Sequence, residues 1–157
     1  MKLVVLLITA LSAVVNGQQS EWRYDQYKDR MGRDGFSAIV PSKDTANFGF
    51  PYSGEQHALL ALRANRTDIT DVMLSIKRGQ FICSGYSGCS VNVRFDQGRI
   101  QRFQAAGPDD HDTTVLFIRD PEAFMEGLRK AKTVSIEALF YHEGHVAFTF
   151  PIEGLKW

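Results

Sequence analysis

Two stretches near the C-terminus alternate apolar and polar residues along their whole length. Val134, Ile136, Ala138 and Phe140 form one row, and Val146, Phe148, Phe150 and Ile152 form the other. A period of two fits a half-buried β-strand and excludes a helix, so the pair predicts an antiparallel hairpin with one buried face. A three-residue loop, His142-Glu143-Gly144 with Gly in the left-handed position, sets Phe140 against Val146, Ala138 against Phe148 and Ile136 against Phe150. A two-residue Glu-Gly turn would set Phe140 against Ala147 and break the row.

The same period recurs upstream. Phe36 to Val40 and Ala46 to Phe50 flank the polar segment 41–45, which reads as a hairpin turn. Ala58, Leu60 and Leu62 alternate, and so do Val72, Leu74 and Ile76 after a polar loop at 64–68. Gly79 then moves the inward parity from even to odd, which indicates a bulge or corner. Val91 to Phe95, Ile100 to Ala105 and Thr113 to Ile118 complete the series. One helix interrupts it at about 120–131, with Asp120 as N-cap, Pro121 in the first turn and a stripe of Phe124, Leu128 and Ala131. The expected fold is all-β and mainly antiparallel, a β-sandwich or partly open barrel of about nine strands with one helix.

The first seventeen residues read differently. Lys2 precedes an apolar run from Leu3 to Val15, and Val15-Asn16-Gly17 offers a cleavage site, the pattern of a secretory signal peptide. The expected organisation is a 1–17 leader and a single secreted β-rich domain at 18–157, periplasmic or secreted, with no membrane span after cleavage. The whole chain balances 18 Lys and Arg against 18 Asp and Glu, and loss of Lys2 leaves a charge of about −1. Such a balance argues against a general nucleic-acid binder, which needs a basic surplus to neutralise phosphates.

Cys83 and Cys89 are the only cysteines, and an even count in an exported chain predicts one disulfide between them. The pairing places Phe81 opposite Val91 and Gly79 opposite Val93, with odd-numbered residues inward on both sides. A redox couple needs closer spacing and a helix N-terminus, and a zinc site needs further ligands at finger-like spacing.

Several polar groups are candidates for chemistry. His142 and His145 fall in a loop and on an outward face, so they do not converge on a metal. Asp109, Asp110, His111 and Asp112 form the densest polar cluster, a solvated loop or a cation or acid–base site, although calcium needs six to eight oxygens. Ser87 sits at a turn tip, the wrong place for a nucleophile elbow. Arg94, Phe95, Arg99, Arg102 and Phe103 interleave basic and aromatic residues, but parity turns Phe95 inward. Trp22, Tyr24 and Tyr86 are candidate interaction aromatics, and Asn65-Arg66-Thr67 is a formal glycosylation sequon.

A family likeness rests on Trp22-Arg-Tyr24, Leu60-Ala-Leu62-Arg63 and Val91-Asn-Val93-Arg94-Phe95-Asp96-Gln-Gly98. It continues in Leu116-Phe117-Ile118 before the helix, the Val134 to Phe140 strand, and Phe148-Thr-Phe150-Pro-Ile-Glu-Gly154-Leu155. Over residues 22–157 the chain resembles small exported β-domain proteins of bacteria and their prophages. More distantly it is similar to the periplasmic accessory proteins associated with type VI secretion, with Ala64 where those often carry Cys. The resemblance implies a binding or accessory role and supplies no catalytic residues.

The sequence therefore points to an exported, non-enzymatic binding or accessory protein of the bacterial envelope, without cofactor, whose partner is another envelope or secreted protein. The binding candidates are Trp22, Tyr24, Tyr86, Asp109, Asp110, His111 and Asp112. One alternative is an inhibitor of a cell-wall hydrolase, inserting the Ser84 to Gly88 tip or the Asp109 to Asp112 loop. A second is a small metal-dependent enzyme built on that acidic loop.

Overall fold

The structure, a computed structural model, describes residues 20–65 and 68–157. The expected leader at 1–17 lies outside them, as do Arg66 and Thr67 of the 64–68 loop. The described residues form eleven strands and one helix: β1 (Arg23–Lys28), β2 (Asp34–Pro41), β3 (Ala46–Phe48), β4 (Gly54–Gln56), β5 (Ala58–Asn65), β6 (Asp68–Ile76), β7 (Cys89–Phe95), β8 (Gln101–Ala106), β9 (Val115–Ile118), α1 (Pro121–Lys130), β10 (Thr133–Phe140) and β11 (Gly144–Pro151). Nine strands make one antiparallel sheet in the order β1-β2-β5-β6-β9-β8-β7-β10-β11, and β3 and β4 form a separate hairpin.

The sheet curls into an open barrel, with β1 and β11 as its edges. Two devices draw these edges together. The segment after β2 crosses to β11, where the Lys43 amide donates to the Thr149 carbonyl (2.9 Å) and Asp44 accepts the Thr149 amide (2.8 Å). Buried Ser42 holds the strap in place: its hydroxyl donates to the Asp44 carbonyl and accepts the Ala58 amide. Three residues beyond Thr149, the Trp22 indole donates to the Ile152 carbonyl (3.1 Å), and Tyr24 accepts the Lys156 amide.

Each inward row buries as its period demands. Leu60, Leu62, Val72, Leu74, Val93, Val134, Ile136, Phe148 and Phe150 are all fully buried. Aromatic clusters plug both ends of this core. At one end Phe124 of α1 meets Phe95 and Phe103 edge-on, at 5.6 Å each. At the other, Phe140 gathers Phe48 of the β3–β4 hairpin, Phe81 and Phe148.

The helix follows its signals. Asp120 caps it by accepting the Ala123 amide (3.1 Å), and Pro121 opens it. The buried stripe is Phe124, Met125 and Leu128, and Ala131, the extended C-cap, is partly buried against the same core. Asp96 ties the β7–β8 turn to the start of β10 by accepting the Lys132 and Thr133 amides. Those hydrogen bonds, Thr133 first, hold its carboxyl below the ordinary carboxylate range.

Three pairings differ from expectation. β2 pairs with β1 and β5, while β3 pairs with β4, so 41–45 is a strap and not a hairpin turn. Phe81 bridges Phe140 instead of facing Val91, and Gly79 does not face Val93. The partners of Val91 and Val93 are instead Phe103, Gln101 and Ile136. The last hairpin is set two residues tighter: Phe140 faces Gly144, Ala138 faces Val146 and Ile136 faces Phe148. Its loop is Tyr141-His142-Glu143, with His142 itself at φ +65°. A slip of two keeps every inward residue inward, so alternation cannot detect it.

Gly127 lies where α1 crosses Phe95, and a Cβ there would collide with the Phe95 ring. On an exposed helix Gly→Ala stabilises by about 1 kcal/mol. Here Gly127→Ala is expected to destabilise by about 1–3 kcal/mol in urea unfolding, through overpacking. Stabilisation instead would show that the helix does not seat on Phe95.

Candidate functional site

One irregularity in the sheet opens a concavity. β9 pairs with β6 at four positions but with β8 at only two, Phe117 with Ala106 and Ile118 with Ala105. Continued in the same register, Gly107 would face Leu116 and Pro108 would face Val115, but proline has no N–H to give the ladder. The Pro108 carbonyl instead accepts the His111 amide (3.1 Å), and His111 adopts φ +60°. The chain therefore turns away as the loop 107–113 before returning as β9.

The disulfide loop stands across the resulting gap. Cys83 and Cys89 are bonded, and between them Ser84 and Gly88 form a single antiparallel bridge. Ser84 also shapes the tip, its hydroxyl accepting the Tyr86 and Ser87 amides at 3.3 Å. Tyr86 at the tip is fully exposed. Between the two loops lies an open groove of about 610 Å³, within the size range of ligand sites. Buried Phe81, Ala105 and Leu116 line it, with Asp109, Asp112 and Arg119 among its polar groups.

The acidic loop organises itself. Asp110 accepts the Asp112 amide (3.1 Å), and Asp112 accepts both the amide (2.8 Å) and the hydroxyl (2.6 Å) of Thr114. The Thr114 hydroxyl, then its amide, hold the Asp112 carboxyl below the ordinary range. Two of the three carboxylates thus shape their own turn. Among the described residues, Asp109 and Arg119 make no side-chain hydrogen bond or ion pair, and no three His, Cys, Asp or Glu side chains are placed to hold a metal ion.

Of the seven binding candidates, the structure brings Tyr86, Asp109, His111 and Asp112 to one groove. Asp110 does not line it and acts through Asp112. Trp22 is buried, so it seals the core instead of presenting a surface. Tyr24 is half-exposed at the seam, with its ring 6.3 Å from that of Trp157. His145 approaches Glu137 (3.7 Å), whereas the His142 ring lies beside Tyr141. Arg94 and Arg102 bond to the Gly98 carbonyl and the Ser90 hydroxyl, while Phe95 and Phe103 face α1. Residue-type reasoning missed Arg119 and Pro108; the Gly107-Pro108 pair was the one available signal.

Replacing both cysteines by Ser is expected to cost about 2 kcal/mol of stability in the chain-entropy view of a short loop, while the far-UV spectrum stays that of the intact sheet. Loss of the sheet signal would mean the loop is needed for the fold and not only for the groove. Asp112→Asn gives a pH test. A carboxyl with a lowered folded pKa stabilises above the ordinary carboxylate range, and that contribution is lost as pH falls through and below it. The stability gap between wild type and variant should therefore close on acidification; a constant gap would contradict the Thr114 hydrogen bonds. Comparison with protein-family models, curated proteins and solved structures finds no match to this chain.

Proposed function

We propose that the chain is an exported binding protein of the bacterial envelope, without catalysis of its own, that recognises another envelope or secreted protein. The observation that carries this reading is the meeting of two loops, distant in sequence, around one groove beside a fully exposed Tyr86. Tyrosine and arginine are the residue types that anchor protein interfaces, and rigid loops lower the ordering cost of binding. Export is supported by the leader pattern at 1–17 and by the disulfide, which persists in oxidising compartments. No helix among the described residues is long and apolar enough to cross a membrane.

Inhibition of a cell-wall hydrolase is the second reading. It is favoured by the projection of Tyr86 from a disulfide-closed tip, a shape suited to entering a partner's cleft.

A photo-crosslinking residue placed at Tyr86 should capture a defined protein in the producing cell. The same probe at Glu122, on the exposed side of α1, should not. Adducts that are absent at Tyr86, or identical at both positions, would contradict the reading. A captured hydrolase whose activity falls on adding the wild-type chain would select the inhibitor reading.

A further inference from the structure

The groove contains main-chain groups with no partner, and their direction follows from the β6–β9 register. The Ile76 amide donates to the Thr114 carbonyl (3.0 Å), so residue 114, and by alternation Leu116 and Ile118, bond toward β6. Thr113, Val115 and Phe117 therefore direct their N–H and C=O groups the other way. Phe117 meets Ala106 across the ladder, and the Thr113 carbonyl accepts the Phe81 amide (2.8 Å). Val115, between them, has lost its counterpart to Pro108. By the same alternation Val115 makes no bond to Ser75, its neighbour on β6, and among the described residues no loop main chain or side chain bonds to its N–H or carbonyl. A donor and an acceptor thus point from the edge of β9 into the groove, at the spacing another strand would use.

The charge along the groove is uneven. Asp109, with no side-chain partner, and Asp112 place two carboxylates along one side of it. Arg119 follows β9, where its amide donates to the Gln104 carbonyl (2.8 Å). Tyr86 stands at the opposite rim.

We infer that this groove takes an extended, positively charged segment of a partner polypeptide. The segment pairs its main chain with Val115, sets a Lys or Arg side chain against Asp109 and lies beside Tyr86. This is strand addition at an interrupted ladder, with main-chain hydrogen bonds supplying affinity and the acidic rim supplying selectivity. The sheet's outer edge at β1 is less suited. There the Gln26 amide is taken by Asp25 and the Trp22 amide by Ser20, and Arg23, Asp25 and Lys28 charge the strand.

The inference rests on the proposed binding function, and its test separates the two. A short fluorescein-labelled peptide of alternating Lys and Val is titrated with the disulfide-intact protein and followed by fluorescence anisotropy. Saturable, salt-sensitive binding is expected, with loss when alternate peptide nitrogens are methylated. Asp109→Lys should weaken binding about tenfold or more, roughly one interfacial charge pair. Because Asp109 holds no hydrogen bond through its side chain, that variant should unfold at the wild-type temperature. Tyr86→Ala provides an independent variant on the facing loop and should also weaken binding. Equal binding of a Glu and Val peptide, or indifference to N-methylation, would overturn the inference. So would a chito-oligosaccharide that occupies the groove and excludes the peptide. If no peptide binds while the Tyr86 crosslink still captures a specific protein, the extended-segment inference fails and the binding function survives. If neither occurs, both fail.

Discussion

The structure depends on keeping one continuous apolar face dry across the eight strands from β2 to β11 in the sheet order. An open antiparallel sheet would leave one end of that face exposed at each edge strand. Here curling brings β1 and β11 toward each other, and side chains complete what the ladder does not. The strap through Ser42, Lys43 and Asp44 reaches Thr149 near one part of the seam, and Trp22 reaches Ile152 near another. The phenylalanine clusters around Phe124 and Phe140 then close the ends. Neither α1 nor the β3–β4 hairpin joins the main sheet; both cover the core it encloses.

The candidate site is a local interruption of that plan. Pro108 ends the pairing of β8 with β9, and the chain detours through a loop stabilised by its own aspartates. The disulfide loop borders the gap from the other side. Since Asp110 and Asp112 are engaged in the turn, the groups left to meet a ligand are Asp109, Arg119, Tyr86 and the Val115 main chain. These hydrogen-bonding, charged and aromatic groups suit recognition. The region offers a recess and a projecting tip together, so the two proposed roles, accessory and inhibitory, draw on the same residues.

Much of the fold was legible because burial on one face imposes a period of two. The rows at 58–62, 72–76 and 134–140 were identified by that alone, and α1 by Asp120 and Pro121. Pairing was less legible. The final hairpin slips by two without changing which residues are buried, and Phe81 keeps its inward side while exchanging Val91 for Phe140. β1 escaped notice because every residue in it is exposed or half-buried, leaving no apolar row to read. The groove was hidden for another reason. Tyr86 and Asp109 were both singled out, but only the three-dimensional path shows that their loops face each other. Trp22 shows the converse limit, since an aromatic residue at a domain start gives no sign by itself of whether it seals or recognises.

Recognition at the groove requires that the sheet stop at Val115 and leave its main chain open to a ligand. Residue-resolved amide hydrogen exchange tests it directly. Rapid exchange is expected at Val115, next to protected amides at Leu116 and Phe117, with Val115 becoming protected when a ligand fills the groove. A Val115 amide as protected as its neighbours in the free protein would mean that the ladder is closed there and the groove is not the recognition site.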